Sequence, residues 1–145
     1  RYGTVKRLKN EELELGYRTS ALERRGLFAV RAAFSLTTGD PGAIREKMEE
    51  LAAKRKEKQP LEYPSAGSTF KRPEGYFAGK LIEDAGLKGF SVGGAAVSEK
   101  HAGFVINKDH GTAADILELC NEVKRRVKEN SGVDLEMEVK LLGDF

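Results

Sequence analysis

The chain is poor in cysteine, proline and tryptophan. Cys120 is the only cysteine in 145 residues. That excludes an internal disulfide framework and a metal site built from thiolates alone. Tryptophan is absent, and only seven Phe and four Tyr are present, mostly at core-like positions. Such a set argues against an aromatic platform for stacking nucleic-acid bases. No apolar run approaches the ~20 residues that span a bilayer. No basic stretch followed by an apolar one marks a secretory leader, so a cytoplasmic setting is expected. Charge of one sign is missing too: 25 basic against 23 acidic residues leave +2. Bulk charge therefore excludes a strongly basic nucleic-acid module.

What is present is an ordinary globular composition, 39% hydrophobic and 33% charged, enough for a packed core at this length. The charge is unevenly spread. Residues 1–60 hold 14 basic and 9 acidic residues, whereas 61–145 hold 11 and 14. Glycine is abundant, at 16 residues, and eight of these lie between 67 and 103. Glycine is costly in regular structure unless the backbone needs positive φ or close approach. That density leaves two readings open, a backbone-lined site or a set of tight turns.

Hydrophobic periodicity outlines the elements. Residues 2–5 read as a short strand, and Asn10 as the cap of a single helical turn ending at Gly16. Across 27–37, Phe28, Val30, Ala32, Phe34 and Leu36 alternate with polar residues, predicting a long strand with one buried face. Asp40-Pro41 opens a helix to about Lys58, with Ile44, Met48, Leu51 and Ala52 on its apolar side. The basic cluster from Lys54 to Lys58 suits the negative end of that helix. Residues 61–76 read as a loop and 76–85 as a helix stopped by Gly86. Residues 90–97 and 104–107 read as strands around a turn at Ser98–His101. Thr112 with Asp115 three residues on approaches a capping box for a long helix that ends at Gly132. Leu135, Met137, Val139 and Leu141 alternate as a half-buried closing strand. The predicted class is α+β, a small mixed sheet with helices packed on one face.

Few residues advertise chemistry by themselves. Ser68 sits in a small-residue loop between Pro64 and Pro73, with no GxSxG elbow around it. Its neighbour Lys71 is close enough in sequence to support a developing alkoxide. Glu138 occupies the polar side of the closing strand. His101 and His110 lack the partners of a zinc site, and Cys120 lies on the apolar stripe of the long helix. From these residues alone the reading is an α+β domain with a glycine-lined, mildly basic loop suited to an anion.

The run Tyr63-Pro64-Ser65-Ala66-Gly67-Ser68-Thr69-Phe70-Lys71-Arg72-Pro73 resembles a signature of the UDP-N-acetylenolpyruvoylglucosamine reductase family. So do Ala78-Gly79-Lys80-Leu81-Ile82-Glu83, Gly86-Leu87-Lys88-Gly89, Gly93-Gly94-Ala95 and His101-Ala102-Gly103-Phe104. Leu15-Gly16-Tyr17-Arg18-Thr19-Ser20 near the start and Leu135-Glu136-Met137-Glu138-Val139-Lys140 near the end complete the set. Together these cover nearly the whole chain in family order. The short link after Pro73 resembles the subclass without a long insertion there.

The resemblance implies a flavoenzyme that reduces the enolpyruvyl ether of UDP-N-acetylglucosamine to UDP-N-acetylmuramate for peptidoglycan, with FAD reduced by NADPH. It implies that residues 1–36 are the end of the FAD-binding domain and 37–145 the substrate-binding C-terminal domain. The partner expected is then the N-terminal flavin-binding region, with no nucleic acid, no membrane and no metal. FAD and NADPH belong to the full-length protein, and this piece alone is expected to bind neither and to be inactive. By resemblance Ser68 is the proton donor, Glu138 the catalytic glutamate and Arg18 the arginine near the flavin and the reacting carboxylate. Tyr17, Lys71, Arg72 and His101 match positions at the UDP-sugar. Arg72 stands where many members have asparagine, and a guanidinium there suits the diphosphate. The alternative is a non-catalytic nucleotide- or anion-binding module using Lys54–Lys58 and Lys71-Arg72.

Overall fold

The computed structural model describes residues 3–143, so the strand expected over 2–5 begins at Tyr2, outside the described residues. The chain divides into two compact units, the first ending at Asp40 and the second beginning at Pro41.

In the first unit the expected helical turn is a 3₁₀ turn over Glu11–Leu13. Asn10 does not cap it with its side chain, and Glu14, not Gly16, closes it in the left-handed region at φ 46°. A carboxylate residue holds that conformation because both Arg24 and Arg25 grip its side chain. The Arg24 hydrogen bond, with Arg25 next, lowers the Glu14 pKa. Gly16 instead pairs with Thr19 across a two-residue turn, with N–H···O distances of 3.0 and 3.4 Å. A four-residue helix α1, Ala21–Arg24, forms between that turn and residue 27.

The strand expected over 27–37 does not form. Phe28, Val30, Phe34 and Leu36 are 81–94% exposed. Alternation describes a face, but a strand also needs a partner for its backbone groups, and this stretch has none among the described residues.

The second unit opens with α2, Pro41–Lys58, as expected. Its apolar side is not buried: Ile44, Met48 and Leu51 are at least half exposed. Glu50 pairs with Lys47 at 2.8 Å and also with Lys54, support that an exposed helix draws from its own surface. The expected loop over 61–76 contains a strand, β1, Ser65–Ser68. Then come α3, Ala78–Asp84, and β2, Ser91–Val92. β3, Ala95–Val97, and β4, Phe104–Asn107, complete the sheet, and α4, Ala113–Ser131, follows. The sheet order is β1-β4-β3-β2, and every pairing is antiparallel rather than mixed. The α+β class stands.

The stretch expected as one strand over 90–97 is a hairpin broken at Gly93-Gly94. The break has a packing cause. The Gly94 carbonyl accepts from Lys108 and Asp109 at 2.9 and 3.0 Å. A Cβ on Gly94 would fall 2.0 Å from the Asp109 carbonyl oxygen. These glycines therefore serve a close approach of backbone to backbone. The loop they touch leads into α4, where the capping box is complete. Thr112 Oγ1 accepts from the Asp115 N–H at 3.1 Å, and Asp115 accepts from the Thr112 N–H at 2.8 Å. Gly132 closes α4 at φ 75°.

The core lies between the sheet and α4, with α3 against α4. Leu119, Val123 and Val127 of α4 are fully buried against Ile82, Leu87 and Val97, each stabilising by about 1.5–3 kcal/mol. The expected closing strand contributes less ladder than its alternation suggests. Leu135 is buried and Met137 and Val139 half-buried, but only Met137 forms a bridge, to Phe70.

Candidate functional site

Ser68 owes its setting to a kink. In β1, Ser65 pairs with Ile106 but Ser68 with Phe104, so β1 carries one extra residue. Gly67 sits in that bulge at φ 86°, where a side chain would be strained. Bulges of this kind re-aim the residue that follows them. Ser68 is exposed, whereas Thr69 and Phe70 beyond it are buried.

Thr69 is bonded through all three of its hydrogen-bonding groups. Its N–H donates to the Gly103 carbonyl at 2.9 Å, and its hydroxyl accepts from the Val105 N–H at 2.9 Å. Its carbonyl accepts from the Glu138 N–H at 2.9 Å. The tail then runs antiparallel to 69–71: Phe70 bridges Met137, and the Lys71 N–H donates to the Glu136 carbonyl at 2.8 Å. Ser68 and Glu138 are 70 positions apart in sequence. Their backbones meet through Thr69. Glu138 is half-buried.

Lys71 is in the same corner, with its ammonium paired to the Glu136 carboxylate. Arg72 turns toward the start of α3. Its Nε donates to the Tyr76 carbonyl at 3.2 Å, and its guanidinium lies 3.9 Å from the Phe77 ring centroid. His101 reaches the corner from the β3–β4 turn. The buried Ser98 hydroxyl shapes that turn by accepting from the N–H groups of Lys100 and His101, both at 3.2 Å. His101 Nδ1 accepts from the Gly103 N–H at 3.1 Å, so the neutral ring carries its proton on Nε2. The ring packs edge-on against Phe104, 4.9 Å between centroids.

The backbones of Ser68, Lys71 and Glu138 thus meet at Thr69, whose N–H bonds the Gly103 carbonyl beside the His101 ring, and Arg72 follows Lys71 in the chain. Tyr17 and Arg18 belong to the first unit. They form the tip of the Gly16–Thr19 turn, with Arg18 at φ 55° and its guanidinium 5.9 Å from the Tyr17 ring. Tyr17 is 65% exposed, so the tip presents its side chains rather than burying them.

The sequence reading did not select Thr69, Glu136 or Phe77. Thr69 carries no signal of its own. Glu136 reads as a polar-face residue, and Phe77 as one more apolar position of α3. Among the described residues no cluster of His, Cys, Asp and Glu could hold a metal ion. No helix among them is long and apolar enough to cross a membrane.

Residues 59–142 match the family model described as UDP-N-acetylenolpyruvoylglucosamine reductase, C-terminal domain. The chain belongs to this family. It is 58% identical over 139 residues to the UDP-N-acetylenolpyruvoylglucosamine reductase of Clostridium perfringens strain SM101, covering 96% of this chain and 46% of that protein. The reductase of Lachnoclostridium phytofermentans is 59% identical over 142 residues, covering 98% of this chain and 46% of that protein. The crystal structure of the reductase from Thermus caldophilus superposes with a TM-score of 0.75 at 40% identity, covering 90% of this chain and 46% of that one. The chain thus spans about half the length of the curated relatives it matches.

Proposed function

We propose that this chain is the substrate-binding half of an FAD-dependent oxidoreductase that converts UDP-N-acetylglucosamine enolpyruvate to UDP-N-acetylmuramate with NADPH in peptidoglycan synthesis. The reading places residues 1–36 at the end of the FAD-binding domain, 37–145 in the substrate domain, and the whole in the cytoplasm. The observation that carries it is the meeting of the Ser68 and Glu138 backbones through Thr69. Membership of the reductase family supplies the reaction.

A reduced flavin, when bound, would be the source of hydride for the enol ether. The residues of this chain supply the remainder. The Arg18 guanidinium stabilises the negative charge that grows on the carboxylate side of the substrate. The Ser68 hydroxyl gives its proton to the adjacent carbon, and the half-buried Glu138 carboxyl supports that transfer. Lys71, Arg72, His101 and Tyr17 hold the UDP-sugar. Arg18, on its exposed two-residue tip with Tyr17, would be the residue of this chain beside the flavin, and the rest of the flavin's site would come from outside this chain. The flavin-binding region of the full-length protein is therefore this chain's partner, and the isolated chain is inactive without it.

A nucleotide- or anion-binding module without catalysis has less support, because Lys54, in the basic cluster that reading relies on, is already paired with Glu50. The experiment titrates FAD into the isolated chain and assays NADPH oxidation with the enolpyruvyl substrate, beside the full-length protein. Turnover by the full-length protein alone is expected. Turnover by the isolated chain overturns the division of labour.

A further inference from the structure

Thr69 stands between the serine and the glutamate, and its environment is unlike that of its neighbours. It is 3% exposed, while Ser68 before it is exposed and Lys71 after it is half-buried. Only Thr69 and Ser98 are buried polar residues among those described. Ser98 is explained by the turn it shapes. Thr69 is not explained by local structure, because its hydroxyl accepts from Val105, 36 positions away in sequence. That bond crosses the bulge where the ladder between β1 and β4 changes register. The same residue's carbonyl takes the Glu138 N–H at 2.9 Å.

We infer that Thr69 is a positioning residue for the Ser68/Glu138 pair, an inference that rests on the proposed reaction. Its hydroxyl fixes the rotation of the chain just after the Gly67 kink, and so the direction in which Ser68 is presented. Its carbonyl holds the tail that carries Glu138. The register of the tail rests on the Phe70–Met137 bridge, the two flanking backbone hydrogen bonds, the Lys71–Glu136 ion pair and the buried Leu135, and the Thr69 carbonyl is the contact that reaches Glu138 itself. Loosening the hydroxyl bond therefore loosens both reacting groups relative to each other. Isoleucine or alanine at this position would alter packing as well. Valine matches threonine in shape and removes only the hydroxyl.

The test compares Thr69→Val and Thr69→Ser by amide hydrogen exchange in this chain. The reference is the Val97 amide, which donates to the Phe90 carbonyl at 2.8 Å in the β2–β3 hairpin. Thr69→Val is expected to speed exchange at Val105 and Glu138 relative to Val97 by about fivefold to tenfold, the equivalent of one net hydrogen bond. Thr69→Ser is expected to restore it. In the full-length protein Thr69→Val should lower kcat with KM nearly unchanged, again with rescue by serine. Unchanged relative exchange at Glu138 overturns the inference. So does a normal kcat for Thr69→Val in a protein whose Ser68→Ala variant loses turnover. If Ser68→Ala itself keeps full turnover, the proposed reaction fails instead, and the exchange result separates the two failures.

Discussion

The backbone N–H of Glu138 lies 2.9 Å from the carbonyl oxygen of Thr69, the residue after Ser68. That bond brings the end of the chain onto the kinked strand of its middle, and the candidate site is built around it.

The backbone packs so closely at the Gly93-Gly94 hairpin that Gly94→Ala should be costly. The new Cβ would sit 2.0 Å from the Asp109 carbonyl oxygen and 2.3 Å from the Gly111 nitrogen, both backbone atoms. Such atoms do not yield as a flexible side chain does. A loss of about 3 kcal/mol or more, or failure to fold, is expected from urea unfolding. Gly132→Ala, with open space but φ 75°, should cost only about 1 kcal/mol.

Acid should weaken the second unit through two carboxylates held in different ways. Asp115 has its pKa lowered, first by the hydrogen bond from the Thr112 backbone. Glu122 is lowered to about 2, first by Arg125 and then by Arg126. In each case the folded form binds its proton less readily than the unfolded form. The stability each contributes is present above the unfolded value and is lost as pH falls toward the folded one. For Glu122 the window runs from about 4.5 down to about 2. High salt should weaken the Glu122 part, which depends on ion pairs with two largely exposed arginines, more than the capping-box part. Urea midpoints of Glu122→Gln and Asp115→Asn against pH, at low and high salt, check this. Equal salt sensitivity in the two variants contradicts it.

Cys120 should be inert in the folded chain. It is 1% exposed, and burial raises its thiol pKa to about 11. Against a free value of 9.0, the thiolate population at pH 8 is about a hundredfold lower. Alkylation by iodoacetamide should therefore track global unfolding across a urea series. Rapid labelling without denaturant would contradict the packing described.

Phe77 should matter to ligand binding as well as to folding. It is 62% exposed, yet the Arg72 guanidinium lies over its face. At exposed sites such stacking stabilises by about 0.5–1 kcal/mol. Phe77→Ala should cost about that in stability and weaken UDP binding up to about fivefold, with Phe77→Tyr close to unchanged. Calorimetric titration with UDP reads the effect. Equal affinity in Phe77→Ala removes Arg72 from the proposed diphosphate contact.

The elements legible in the sequence are those whose stabilisation is local. α4 carries its own capping box and glycine stop, and its stripe of Leu119, Val123 and Val127 is buried as its spacing requires. α2 forms from its own propensity and charge pairs even with its apolar side exposed. β1 was hidden, because Ser65-Ala66-Gly67-Ser68 has neither alternation nor bulk and exists only by pairing with β4. The converse holds at 27–37, where alternation is clear and no strand partner is found among the described residues. The site divides in the same way. Ser68 and Glu138 were named by family resemblance, but nothing in the residue pattern says that Thr69 joins them. Long-range backbone pairing leaves no periodic trace in either segment.

The most direct test is a double-mutant cycle in the full-length protein, with Ser68→Ala, Glu138→Gln and their combination, read as NADPH oxidation with the enolpyruvyl substrate. Each single change should lower kcat by about a hundredfold or more, the usual scale for a positioned proton-transfer group. The double change should be little worse than the more severe single one, because the two groups act as a unit. Full turnover in Ser68→Ala, or losses that simply multiply, would contradict a shared role for the two residues.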